Sequence, residues 1–363
     1  MIANALAFLG FLIALLITLG GPFTVFTAWK PGLWFFHRFQ EKRSTAILLS
    51  SGLCLAAIVL AGQDSRVVWV FPAGIFLLLS LVLNLSAFFP ALLSVDVVDA
   101  QQVDEEMLQR SFFAGNQDVL VVEFNDEQRA YPLQSMVMAR HLVHDIVGGV
   151  PIVVTYCAVC HSGLVFRAEM AGSELFFTVT GVFRRNLIME DSHSRTLWQQ
   201  ATGEGIYGAG KGRILEMLPS FQLPWQEAKA FERMTLAQEP PSSRKAVFSS
   251  PKRLAWLEAV TDRVLVPGHT PLGQALDRHE TVFGISLNGS AKAYPLSRLQ
   301  TLDVFPDMIG GVEIELSFDP ENQVLLAKRL DRGPDPLVEK HGWLGWKEFH
   351  PDTQIYEGAS KKG

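Results

Sequence analysis

Internal repetition is the tightest restriction on how this chain folds. Nine residues, Asn125-Asp-Glu-Gln-Arg129-Ala130-Tyr131-Pro132-Leu133, return 163 positions later as Asn288-Gly-Ser-Ala-Lys292-Ala293-Tyr294-Pro295-Leu296. Both copies follow short apolar runs, Val119 to Phe124 and Val282 to Leu287. Asp145-Ile-Val-Gly148-Gly149-Val150 returns as Asp307-Met-Ile-Gly310-Gly311-Val312 at an offset of 162, and Trp225, Lys229 and Phe231 return as Trp343, Lys347 and Phe349 at an offset of 118. Order and direction are kept at all three places. A duplicated unit must repeat its supersecondary structure.

Each copy reads as strand, tight turn, strand, and then a helix that Pro132 or Pro295 starts, since proline suits the first helical turn. In the first copy that helix is expected over Leu133 to His144, ended by the Gly-Gly pair, and Pro151 to Tyr156 has the continuous β-branched run of a buried strand. The two halves are expected at residues 110–240 and 265–355, joined by the polar stretch from Pro240 to Arg253. The fall in offset from 162 to 118 gives the first half about 44 residues between Gly149 and Trp225 that the second lacks. Chemistry confined to one half is expected there. The stretch holds Cys157-Ala-Val-Cys160-His161, Asn186, Met189, Asp191 and Leu197-Trp198-Gln199-Gln200, whereas Phe318-Asp319 stand where Tyr156-Cys157 would fall. One half reads as active and the other as structural.

Ahead of the repeats the chain is apolar. Hydrophobic residues make up 48% of the chain against 19% charged, with a mean hydropathy of +0.20, which excludes disorder. No Asp, Glu, Lys or Arg occurs in residues 1–29, 44–63 or 67–95, and each window is long enough for a bilayer span of about 20 residues. The expected membrane region is residues 1–95, with spans at about 2–22, 45–62 and 68–92. Lys30, Arg38, Lys42 and Arg43 between the first two windows place that loop inside by the positive-inside rule. The expectation is a multi-pass protein of the cell membrane, held in the lipid bilayer by its N-terminal region, with everything after Val95 cytoplasmic. The remainder carries 26 basic and 35 acidic residues, a net of −9. Such an acidic part excludes nucleic acid as a partner, because phosphate binding needs a basic face.

Of the three cysteines, Cys54 lies in an apolar window and reads as a small buried residue. Cys157 and Cys160 form a Cys-x-x-Cys at a strand end, close enough to share a metal or a disulfide. His141 and His144, three apart on the expected helix, face one side and precede the strand that delivers Cys157. Two soft sulfurs with imidazole suit zinc or copper, so the candidate ligands are Cys157 and Cys160 with His141, and His161 or Met189 as alternatives. The same cysteines also suit a reversible disulfide in a thiol redox enzyme. Cys157 to His161 further fits the attachment motif of c-type haem, and a non-catalytic interaction module is the remaining alternative. Arg184, Arg185 and Asn186 read as a solvated turn, and Asp191 as a turn former.

Thr155-Tyr156-Cys157-x-x-Cys160-x-Ser162-Gly163-x-Val165-Phe166, then Asn186-Leu-x-Met189-x-Asp191, Leu197-Trp198-x-Gln200 and Gly203-x-x-Ile206-x-Gly208, resembles the domain-of-unknown-function family 3179. The resemblance covers roughly residues 110–355. The family usually has Pro-Leu where this chain has Ala158-Val159, and asparagine where it has His144; His141 falls at a family histidine. The resemblance implies a shared site without an activity. Together these readings give an α+β chain: three N-terminal transmembrane helices followed by a soluble domain of two related, mostly β halves, a membrane-anchored protein that binds zinc or copper through Cys-x-x-Cys.

Overall fold

The computed structural model describes residues 2–26, 42–61, 71–72, 74–75, 95–97, 100–101, 118–136, 141–228, 234–237, 269–299 and 304–358. Two helices come first, α1 (Ile2–Phe26) and α2 (Arg43–Ala61). They meet along a seam of small residues, Ala7 and Ala14 against Ala46 and Ala57, and the buried Ser50 hydroxyl donates to the Gly10 carbonyl at 2.7 Å. Among the described residues no helix is long and apolar enough to cross a membrane. Most of the third window lies outside the described residues. The expected three spans, the multi-pass cell-membrane protein and the cytoplasmic placement derived from them are corrected accordingly.

The other described residues form strands almost throughout, so the expected α+β class also gives way, to a mostly β fold. After β1 (Val95–Val97) and β2 (Ala100–Gln101), a first run comprises β3 (Asp118–Phe124), β4 (Glu127–Pro132), α3 (Leu133–Met136), β5 (Leu142–Val147), β6 (Val150–Cys157) and β7 (Ser162–Arg167). An excursion follows: β8 (Glu169–Met170), β9 (Ser173–Glu174), β10 (Phe177–Phe183), β11 (Asn186–Asp191), β12 (Leu197–Gln199), β13 (Gly205–Tyr207) and β14 (Met217–Leu218). The run closes with β15 (Ser220–Pro224), α4 (Trp225–Ala228) and β16 (Met234–Ala237). A second run repeats it: β17 (Thr281–Leu287), β18 (Ser290–Pro295), α5 (Leu296–Leu299), β19 (Val304–Ile309), β20 (Val312–Asp319), β21 (Val324–Arg329), β22 (Glu339–Gly342), α6 (Trp343–Phe349) and β23 (Gln354–Ile355).

Pairing follows the same order in both runs. One sheet runs β15-β3-β4-β16 and its counterpart β22-β17-β18-β23, each with an antiparallel first neighbour and a parallel last one. A second sheet runs β5-β6-β7, matched by β19-β20-β21. Equivalent side chains make equivalent bonds. Tyr131 and Tyr294 each donate to an aspartate, Asp145 and Asp307, at 2.8 Å, and Arg129 and Lys292 pair with the same two carboxylates at 2.6 and 2.8 Å. Asn125 and Asn288 each donate to the carbonyl of the first glycine of the Gly-Gly turn. Gly148 (φ 54) and Gly310 (φ 56) start those turns, and a Cβ on either would collide with the carbonyl oxygen of Phe124 or Leu287. Only glycine fits.

Two local expectations fail. The helix expected over Leu133 to His144 ends at Met136, and His144 lies in a strand. Leu142 to Val147 pairs with β6 from Val147↔Val150 to Leu142↔Thr155, so tertiary pairing overrides a helix reading of that segment. The Gly-Gly pair therefore turns a hairpin rather than ending a helix. The extra residues also begin later than expected: β6–β7 and β20–β21 match through Arg167 and Arg329, with His161 (φ 50) equivalent to Gln323 (φ 51). The Cys157–His161 turn is thus part of the shared hairpin, and the excursion begins after it.

That excursion explains a difference in the equivalent strands. β20 alternates buried and exposed residues, one face in solvent; β6 is buried on both faces except at Pro151. The sheet β10-β11-β12-β13 covers the second face, packing Phe177, Val179, Leu187, Met189 and Trp198 onto Val153, Leu164 and Phe166. A strand buried on both sides reads as a continuous apolar run, and one half in solvent alternates.

Candidate functional site

The dithiol sits where three pieces meet: the β6–β7 turn, the β10–β11 turn and α6 of the second run. Cys157 ends β6 and Cys160 lies in the turn, exposed by only 3% and 1%. Both are free thiols. Burial opposes the Cys157 thiolate, yet hydrogen bonds from the Cys160 side chain and from the backbone amides of Cys160, Leu187 and Val159 hold its pKa below the ordinary thiol value. Cys160 moves the other way, well up, because it gives its hydrogen bond to Cys157 and because it is buried; the charge on Cys157 adds to this, while Asn186 opposes it. The pair is therefore polarised, with the first sulfur favoured as thiolate and the second kept protonated.

A network of fully buried polar side chains fixes Cys160. Its one thiol hydrogen is shared between Cys157 and the Arg185 carbonyl oxygen, 3.1 Å away, and Sγ accepts from Asn186 Nδ2 at 3.4 Å. Asn186 is itself held on every side: Nδ2 also donates to Gln200 Oε1 at 2.7 Å, and Oδ1 accepts from Gln199 Nε2 at 2.7 Å and from the Ala201 amide at 2.9 Å. Gln200 Nε2 reaches the Thr155 hydroxyl at 3.0 Å, which donates to the Leu164 carbonyl. Buried polar groups with all partners present specify one arrangement. Asn186 and Gln200, visible in the sequence only as parts of a pattern, thus connect the excursion to the thiol. Asp191 does not join them. It braces its own loop, accepting from Trp198 Nε1, Ser194 Oγ and the Thr196 amide, and these bonds lower its pKa against the effect of burial.

The second run covers the site. The Gly342 amide donates to the Cys160 carbonyl at 2.9 Å, and a Cβ on Gly345 would lie 2.6 Å from that of Cys160. Glu348, with no side-chain exposure, pairs with Arg184 at 2.9 Å and lies 3.9 Å from Arg185 and 3.3 Å from His269 Nδ1. Arg184 and Arg185 form the β10–β11 turn with φ 51 and 59, a left-handed geometry that carries strain in residues other than glycine. That turn is therefore a clamp and not the solvated turn expected. Glu348, Gly345 and His269 were invisible to sequence reasoning, because each comes to the site from the half that lacks the thiols.

The expected ligands are only partly brought together. Cys157, Cys160 and the fully buried Met189 share one apolar cluster. His141 does not join it: its backbone pairs with Tyr156, its Nδ1 faces the Tyr156 carbonyl at 3.3 Å, and successive strand residues point to opposite faces, so Cys157 points away. Burial pulls the His141 pKa down to about 4. His144 turns Nε2 to the Phe177 backbone instead, 3.1 Å from both its amide nitrogen and its carbonyl oxygen, one of which it bonds according to its tautomer. His161 turns outward, its ring 5.8 Å from that of His279. Among the described residues no group of three or more His, Cys, Asp or Glu is placed to hold a metal ion.

No curated protein and no solved structure matches the chain. A family model described as a protein of unknown function (DUF3179) matches residues 88–329, a stretch that includes the thiols, the Asn186–Gln200 network and both sheets they hang on, and the chain belongs to that family.

Proposed function

We propose that the chain is a thiol redox protein in which Cys157 and Cys160 pass between dithiol and disulfide. The observation that carries this reading is the seating of two free, buried thiols at one hairpin turn, the second fixed by Asn186 and the Arg185 carbonyl; hydrogen bonding lowers the pKa of Cys157 and raises that of Cys160. A thiolate is the attacking species in exchange, and its buried partner resolves the intermediate. With a low-molecular-weight disulfide RSSR as oxidant, the Cys157 thiolate attacks one sulfur, the S–S bond breaks and RS⁻ leaves. Cys160 then releases its proton, its sulfur attacks Cys157 Sγ, and the second RS⁻ leaves. The protein loses two electrons to a disulfide that becomes two thiols. Zinc or copper held by the same sulfurs is the second reading, favoured by Met189 in the same cluster.

Equilibration in mixtures of reduced and oxidised glutathione, followed by alkylation and mass measurement, tests this. The expected result is loss of two alkylation sites together at one midpoint, abolished by Cys157→Ser and by Cys160→Ser, with Cys54 unchanged. Two thiols persisting at every ratio would overturn the reading. So would about one zinc or copper ion per chain that blocks alkylation and is lost in either variant, and that outcome establishes the metal reading instead.

A further inference from the structure

Between the two runs of strands lies a cavity of about 460 Å³, bounded by β3, β7 and β15 on one side and by β17, β20, β21 and β22 on the other. Its volume falls within the range of sites that enclose small molecules. The wall is largely apolar, with Leu120, Leu164 and Leu218 facing Phe283, Leu325 and Val338. One charged side chain in it is incompletely matched. Lys340 stands beside Phe283 on the neighbouring strand, its ammonium 5.9 Å from the ring centroid, and it has no hydrogen bond or ion pair among the described residues. Burial lowers its pKa, opposed by the field of Asp118. Asp118 is itself engaged, accepting from Gln222 Nε2 at 3.2 Å. The other charged groups on the wall are Glu315, Lys328, Asp335 and Glu339. Asp335 accepts from the Arg329 amide and Glu339 from His341, so those two carboxylates are engaged elsewhere.

A partly buried ammonium without an acceptor and an aromatic ring along one apolar wall are complementary to one class of molecule. We propose that this cavity binds a small amphipathic carboxylate, with its acid on Lys340 and its apolar body between Leu120, Phe283 and Leu325. A charge-assisted bond is stronger than its neutral equivalent. Nothing in this assignment depends on the chemistry of the cysteines.

Naphthoate and the uncharged naphthalenemethanol, which share one apolar body, distinguish the contributions when titrated into the full chain by calorimetry. Naphthoate is expected to bind at least about tenfold more tightly, a difference of about 1.4 kcal/mol. Lys340→Met is expected to remove that preference and keep the weak binding of the alcohol, and Leu325→Trp, which fills the cavity, to abolish both. Absence of saturable binding by either probe would overturn the proposal. So would equal affinities in the unaltered protein, or a preference that survives in Lys340→Met.

Discussion

Asn186 carries more of the site than its single side chain suggests, because four groups depend on it: the Cys160 sulfur, both glutamines and the Ala201 amide. Asn186→Ala leaves buried donors and acceptors unpaired, at about 1–3 kcal/mol for each such group. Thermal unfolding is therefore expected to show a loss of at least about 2 kcal/mol, with a higher Cys157–Cys160 reactivity toward small thiol reagents. His141 supplies a second handle. Its pKa is near 4 when folded against 6.5 when exposed, so the unfolded chain binds more protons between those values and stability falls as pH drops through that window. His144 and His350, also lowered by burial, act in the same direction. Denaturant midpoints measured from pH 7 to pH 4 are expected to fall, with His141→Gln flattening the slope by up to about 3 kcal/mol over the window. Cys157, Cys160, Asn186 and Gln200 were legible in the sequence as a pattern. Their mutual bonds were not, since spacing along the chain does not say which side chain faces which.

Among the elements, hairpins do the work expected of helices. The Gly-Gly turns show how local space, and not backbone angle alone, decides tolerance. Gly148 and Gly149 both have positive φ, but a Cβ on Gly148 meets Phe124 and Asn125 whereas one on Gly149 meets nothing within 4 Å. Gly149→Ala is expected to lose about 1 kcal/mol from left-handed strain alone, and Gly148→Ala distinctly more; equal losses in denaturant unfolding would refute the role given to the Phe124 contact. The repeat was legible because its turn residues are constrained in this way in both copies. The segment before Val147 was misread as helix because Leu142-Val-His-Asp-Ile-Val147 shows its strand character only once β6 lies beside it. The sequences of β6 and β20 did record their surroundings, continuous in one and alternating in the other.

Across the whole molecule, duplication has divided labour without separating the halves. Asp319 takes the place of Cys157 and spends its carboxylate on its own turn, accepting from the Glu321 and Asn322 amides, while α6 of that half covers the thiols of the other. The seam at Gly345 and Glu348 is therefore the expected entry to the dithiol. Removing one partner of a buried ion pair leaves the other uncompensated, so Glu348→Gln is expected to speed thiol modification about tenfold for each 1.4 kcal/mol by which the seam is weakened; an unchanged rate would show that entry lies elsewhere. The central claim is the opposite polarisation of two adjacent buried sulfurs, and NMR of protein carrying isotope-labelled cysteine Cβ, followed against pH, reads each sulfur separately. The account predicts that Cys157 titrates below the ordinary thiol value of about 8.5 while Cys160 stays protonated well above it. Both cysteines titrating together at or above that value would contradict it.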